Sequence, residues 1–263
     1  MSNNIILFGG SSGLGKNIKN SLILNKKNNI YTFGVSRPQK KEKSFFFKCD
    51  LKNFYELKKC ISYIRNNIKI VDVLILNSGL IENKKRSNKI FYDTFLVNYL
   101  SQFYIVYKLK NNILRSKKKR VIVISSHVIN NVNQSDLELF SFKKEYSFWQ
   151  RYKLSKILFF LSVSYFKDFA PKINIIFFNP GRMQTNILNK IFLLKFFSKI
   201  FFLLLGTNPK ISAYNVKKIV DGQKLSKKIF YNFNLKDVKK LNFLKNKFSK
   251  YFFYKTKKLL KLR

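Results

Sequence analysis

Apolar residues in this chain gather into short unbroken runs, separated by longer stretches where they recur every three or four positions. Six runs read as strands: Asn4–Phe8, Ile30–Val35, Ser44–Phe47, Val71–Leu76, Arg120–Ser125 and Ile173–Phe178. Each is bounded by Gly, Pro, Asn, Asp or a cluster of charge, and a run such as Val73-Leu74-Ile75-Leu76 has no polar alternation. That pattern belongs to strands buried on both faces. Helical intervals fill Gly15–Asn25, Asn53–Asn67, Phe91–Leu114 and Tyr152–Phe169. Strand alternating with helix predicts βαβ crossovers, hence an α/β fold with a doubly wound parallel sheet covered by helices as a three-layer sandwich. No internal repeat appears. Residues 1–223 read as one domain, and 224–263 as a basic amphipathic extension packed on or next to it.

Composition narrows the function classes. A chain of 263 residues can bury a full core without disulfides or metals. It holds 45 Lys against 8 Arg, with 29 Asn, 29 Phe, 2 Ala and a net charge of +41. Lys, Asn and Phe accumulating while Ala vanishes points to an AT-rich coding sequence, so the charge is not by itself a binding signal. Arginine, the better phosphate fork, is scarce, which disfavours a nucleic-acid partner. Cys49 and Cys60 form no C-x-x-C pair and there is one His, so two reduced thiols and no metal cluster are expected. The longest uncharged apolar stretch, Thr94–Tyr107, has 14 residues, short of the roughly 20 that span a bilayer. The first apolar run passes straight into a glycine-rich turn and is not expected to be a signal peptide. A cytoplasmic protein is expected.

That turn, Phe8-Gly9-Gly10-Ser11-Ser12-Gly13-Leu14-Gly15, falls where the first strand meets the first helix. Glycines there let the backbone approach a pyrophosphate, and the helix start offers unpaired N–H groups to the anion. The spacing is Gly-x-x-x-Gly-x-Gly, and no Gly-Lys-Ser/Thr follows, which argues against a nucleoside triphosphatase. The second strand ends Val35-Ser36-Arg37 with no acid from Tyr31 to Arg37. A carboxylate there would select NAD(H), whereas Arg37 suits a 2′-phosphate, so NADP(H) is favoured as cofactor.

Tyr152 and Lys156 lie four apart on a strongly apolar helix, so they share a face. An ammonium beside a phenol favours phenolate and brings its pKa toward the working range of an acid–base catalyst. With Ser126 ending the preceding strand, and Asn98, Asn77-Ser78-Gly79 and Asn179-Pro180-Gly181-Arg182-Met183-Gln184-Thr185 in order along the chain, the set resembles the short-chain dehydrogenase/reductase family. The resemblance implies a Rossmann-like fold and a Ser126, Tyr152, Lys156 and Asn98 tetrad transferring hydride between NADP(H) and a carbonyl or alcohol. Ser126 would bond the substrate oxygen, Tyr152 move its proton, Lys156 tune the phenol and bind the ribose, and Asn98 anchor a relay water. It also implies cofactor contacts from Gly9, Ser11, Ser12, Gly13, Leu14 and Gly15, from Asp50 and Leu51, and from Asn77 and Gly79. Tyr152, Lys156, Pro180, Gly181, Met183 and Thr185 would complete them.

The chain departs from that family's pattern in places. Phe8 stands where threonine is common, and Leu76 where an asparagine is usual. The 26 positions from Ser126 to Tyr152 are about twice the family's usual spacing, the extra length lying in His127–Arg151. That segment reads either as a surface insertion or as a wall of the substrate pocket. Ile187–Leu205, rich in Phe, Leu and Ile, reads as an apolar substrate lid, an interfacial helix, or a core or dimer contact. Residues 224–263 carry 14 basic groups against Asp237, with Leu235, Val238, Leu241, Leu244, Phe248 and Phe252 at helical intervals. The stripe predicts a docked helix with lysines outside, or a peripheral contact with anionic lipid. A homo-oligomer is expected. The remaining function classes are a cofactor-binding regulator without turnover and a basic membrane-surface or nucleic-acid module. Leu154-Ser155-Lys156-Ile157-Leu158-Phe159 and the long tail lean toward retinol-dehydrogenase-like members rather than short acyl-carrier reductases.

Overall fold

The computed structural model describes residues 2–36, 44–82, 91–181, 208–222, 230–231 and 235–262. Arg37, Met183 and Thr185, the stretch 187–205 and the start of the tail, 224–229, lie outside the described residues. The first half contains β1 (Asn3–Phe8), α1 (Gly13–Ile23), β2 (Asn28–Gly34), β3 (Phe45–Lys48), α2 (Phe54–Asn67) and β4 (Val73–Leu76). A short α3 (Asp93–Phe95) then runs through a π-helical turn (Leu96–Leu100) into α4 (Ser101–Leu114). The second half contains β5 (Arg120–Ile124), a 3-10 turn (His127–Asn131), α5 (Gln134–Glu138), α6 (Phe148–Ser164), α7 (Phe166–Phe169) and β6 (Asn174–Phe178). It ends with α8 (Pro209–Asp221), β7 (Phe230–Tyr231) and α9 (Leu235–Leu259).

Seven parallel strands lie in the order β3-β2-β1-β4-β5-β6-β7. Because successive side chains point to opposite faces, each unbroken apolar strand feeds both layers. Ile5, Leu7, Val73 and Ile75 pack with Leu14, Ile18, Val216 and Ile219 of α1 and α8. Ile6, Phe8, Leu74 and Leu76 pack on the other side with α2, α4 and α6. Every one of those eight strand side chains is fully buried, so a polar alternation would have placed unpaired groups in one layer or the other. The chain turns outward through β2 and β3, then crosses to the other side of β1 with β4. A crevice must therefore open at the carboxyl ends of β1 and β4, where the winding reverses.

The tail joins the larger layer. Leu241, Leu244, Phe248, Phe252 and Phe253 of α9 are buried in the same core as α6. The Tyr99 hydroxyl bonds both Ser162, at 3.1 Å, and Thr256, tying the π-turn, α6 and α9 together. Burial pushes the Tyr99 phenol up to about 12.

The reading of His127–Arg151 as a plain surface insertion is corrected. Ile129, Val132, Leu137 and Phe140 from it are buried, and Phe140 packs edge-on against Phe95, Phe142 and Phe252. Part of the extra length is helix: α6 starts at Phe148, where Ser147 and Gln150 form a reciprocal capping box, rather than at Tyr152.

Candidate active site

The glycine-rich turn and the segment after β4 meet across the winding reversal. The Asn77 side-chain amide donates to the Gly9 carbonyl at 2.7 Å. A Cβ on Gly15 would fall 1.9 Å from that same carbonyl oxygen and 2.5 Å from Asn77 Nδ2, so no larger residue fits without moving backbone. Gly13 has φ +52 and nothing within 4 Å of a built Cβ, leaving open space over the start of α1. No side chain caps the α1 amino terminus and no acid stands in its first turn. A close-packed backbone below, open space above and uncapped amides facing it fit the pyrophosphate of a dinucleotide.

On the far side of the crevice, β5 delivers Ile124 and then Ser126. The Ser126 hydroxyl accepts from the Val128 amide at 3.5 Å and faces the Tyr152 phenol, whose pKa it holds down. Lys156, one turn along α6, is 7 % exposed. Its Nζ donates to the Ile124 carbonyl at 3.3 Å and stands 6.0 Å from the centre of the Tyr152 ring. The electrostatics differ from the sequence expectation. Burial raises the Tyr152 phenol above its ordinary value, the Ser126 hydroxyl opposes that rise, and Lys156 is not among the causes. Burial also pulls Lys156 itself down to about 8. Removing both groups from water outweighs any help the ammonium gives the phenolate.

Asn98 sits fully buried in the π-turn, a helix form that concentrates at functional sites. Its Oδ1 accepts from the Leu80 amide at 2.7 Å, and its Nδ2 donates to the Leu80 carbonyl at 2.8 Å and to Ser155 Oγ at 3.0 Å. Ser155 in turn donates to the Tyr152 carbonyl at 2.8 Å. The side chain expected to hold a relay water is therefore engaged in clamping the segment after β4 to α6.

Asp50 follows β3, where its carboxylate accepts from the Lys52 amide at 2.9 Å and its own amide donates to Glu56 at 3.0 Å. The Leu51 carbonyl accepts from Ser101 at 2.6 Å. Beside them the Cys49 and Cys60 thiols hydrogen-bond each other, which lowers the Cys60 pKa. After β6, the Gly181 amide donates to Asn179 Oδ1 at 3.2 Å, and the Pro180 carbonyl accepts from Ser212 of α8 at 2.9 Å.

A family model described as short chain dehydrogenase matches residues 3–136, half of the chain. The chain belongs to that family. A curated relative, the 3-oxoacyl-(acyl-carrier-protein) reductase FabG of Buchnera aphidicola subsp. Baizongia pistaciae (strain Bp), is 29% identical over 225 residues, covering 79% of this chain and 85% of that protein. Two solved structures share the fold. An alcohol dehydrogenase from the archaeon Thermococcus sibiricus, complexed with 5-hydroxy-NADP, matches with TM-score 0.63 and 14% identity over 88% of this chain and 95% of its own. The 3-alpha-hydroxysteroid dehydrogenase from Pseudomonas sp. B-0831, complexed with NADH, matches with TM-score 0.65 and 16% identity over 83% of this chain and 89% of its own. This dehydrogenase is thus an NAD(P)-dependent oxidoreductase working between carbonyl and alcohol groups. The lean toward retinol-dehydrogenase-like members is not supported, since the curated relative is an acyl-carrier reductase.

Sequence reasoning missed several supports of the dehydrogenase site. Ser155 is legible in retrospect, because it lies three residues after Tyr152 on the same helix. Gln102, whose amide donates to the Ser78 carbonyl at 2.6 Å and the Val97 carbonyl at 3.1 Å, left no local signal. Arg151 likewise reaches the Glu82 carbonyl at 2.8 Å and stacks on Tyr92, a partnership 69 positions apart in sequence.

Proposed function

We propose that this dehydrogenase is a cytoplasmic NADPH-preferring reductase that converts a carbonyl to an alcohol with Ser126, Tyr152 and Lys156 as its catalytic residues. The observation that carries it is the convergence of Ser126, the Tyr152 phenol and a buried Lys156 at the β5 exit, across the crevice from the dinucleotide cradle. When bound, the nicotinamide supplies the hydride. Ser126 orients the substrate oxygen, and Tyr152 gives that oxygen its phenolic proton. A phenol raised by burial stays protonated at neutral pH, which is the form reduction needs and oxidation does not. Lys156, still charged below about 8, offers the ammonium that stabilises phenolate as the proton leaves. Asn98 acts as a positioning residue through Leu80 and Ser155.

Preference for the phosphorylated cofactor rests on Arg37 and on the absence of any acid from Tyr31 to Arg37. The end of β2 itself lies beside the cofactor turn, since a Cβ on Gly34 would fall 3.2 Å from Ser11 of the cradle. Cofactor contacts from Gly9 to Gly15, Asp50, Leu51, Asn77, Gly79, Pro180, Gly181, Met183 and Thr185 complete the proposal. Its substrate class is a 3-oxoacyl group, taken from the Buchnera relative. The homo-oligomer remains part of the proposal, with α9 already covering the α6 face, so a second subunit would use another surface. Following NADPH and NADH oxidation against 3-oxoacyl thioesters, aldehydes and ketones tests the substrate. Tyr152→Phe is expected to abolish turnover with NADPH binding retained, and Arg37→Asp to shift preference toward NADH. Unimpaired turnover in the first variant would remove the mechanism.

A further inference from the structure

Helix α9 has two faces of different character. Its inner stripe is consumed by the core, so the amphipathic pattern seen in sequence needs no membrane to satisfy it. The outer face carries a second pattern. Phe243, Lys247, Lys250, Tyr254 and Lys258 follow one another at intervals of three and four, all exposed, and therefore form a single stripe, with Tyr251 alongside. Phe243 is 56%, Tyr251 55% and Tyr254 49% exposed. Isolated apolar side chains at a surface need no explanation, but three rings on one side of one helix form a patch. No acid lies between Lys240 and Leu262. Glu138 meets Lys247 at 3.0 Å, while Lys250 and Lys258 have no ion-pair partner among the described residues.

The face extends past the helix. Lys257 of α9 and Lys110 of α4 both stand over the Phe169 ring, at 5.4 and 4.6 Å. Phe169 borders a cleft of about 280 Å³ lined also by Leu114, Ala170 and Pro171 and edged by Lys110 and Lys172. Aromatic rings at a rim, long lysine stems and an apolar cleft with a basic edge match the headgroup and upper acyl region of a bilayer.

We propose that the outer face of α9, continued by Phe169 and its cleft, docks this enzyme on an anionic lipid bilayer. Charge complementarity selects that occupant. A second copy of the chain would bring the same lysines and a further +41. The face offers lysine and phenylalanine rather than the arginine forks that read nucleic acid.

The test is sedimentation of the full chain with phosphatidylcholine vesicles containing phosphatidylglycerol, against phosphatidylcholine alone. Pelleting is expected with the anionic vesicles only, and to weaken as salt rises. Lys250→Ala with Lys258→Ala should lower the partition by roughly thirty-fold, from about five-fold per lysine. Phe243→Ser with Tyr254→Ser should lower it as well. Circular dichroism melts should match the parent, and turnover of a water-soluble carbonyl should not change, so a failure of the reductase reading would leave the vesicle result untouched. Equal pelleting with neutral vesicles, no pelleting with anionic ones, variants that partition like the parent, or tighter retention of an RNA oligonucleotide at the same salt would each overturn the proposal.

Discussion

Replacing Lys156 by methionine should stabilise the protein at neutral pH while removing its activity. Lys156 is nearly inaccessible, and burial brings its pKa from 10.5 to about 8. At 1.36 kcal/mol per pH unit, holding the charged form inside the fold costs about 3 kcal/mol below pH 8. Methionine keeps the length of the side chain without the charge. It removes the donor to the Ile124 carbonyl, a loss of about 1 kcal/mol. Lys156→Met should therefore be more stable than the parent by about 2 kcal/mol at neutral pH. Between pH 8 and 10.5 the unfolded chain holds the lysine proton and the folded chain has released it, so parental stability rises with pH through that window. The advantage of the variant should shrink and reverse to about 1 kcal/mol in favour of the parent. The Tyr152 phenol, raised by burial, stays neutral over most of that window and is common to both proteins. Urea unfolding of the ligand-free proteins from neutral pH to about 10 measures the swing. Parallel stability curves for the two proteins, or a variant less stable at neutral pH, would refute the reasoning.

Other outcomes follow from the same geometry. Gly15→Ala places a Cβ on the Gly9 carbonyl, so nucleotide affinity measured by fluorescence quenching should fall at least about ten-fold, with a stability loss of about 1–3 kcal/mol. Ser155→Ala cuts the link between Asn98 and the Tyr152 carbonyl. It should lower kcat while leaving KM nearly unchanged, cost about 1–3 kcal/mol in urea unfolding, and be partly rescued by threonine. An unchanged kcat would reduce Ser155 to a core contact. Reductive turnover should decline as pH rises through about 8, where Lys156 loses its charge. A flat profile up to pH 10 would show that the ammonium has no part in proton transfer.

All six runs that the apolar pattern marks as strands lie in the sheet, displaced by one or two residues at their ends. Burial on both faces imposes an unbroken apolar run, and that constraint is local enough to see. Helix α8 was not read from the sequence, although Asn208 caps it, Pro209 stands at its first position and Gly222 takes the left-handed conformation after its end. β7, two residues long, could not be seen at all, because its existence depends on the neighbouring β6.

Sequence by itself determined which chemistry-bearing side chains exist and their order: the glycine turn, Asn98, Ser126, and Tyr152 and Lys156 one turn apart. Helical spacing fixes that last pair without help from the rest of the fold. Tertiary structure alone decided their ionisation and support. Desolvation is a property of everything packed around a group, so only the fold could reverse the expected direction for the Tyr152 phenol. Only the fold could give Asn98 to Leu80 and Ser155, partners 18 and 57 positions away. It also buried Ile129, Val132, Leu137 and Phe140 of the 127–151 segment in the core, and left α9 with an aromatic, lysine-rich face that none of the described elements covers.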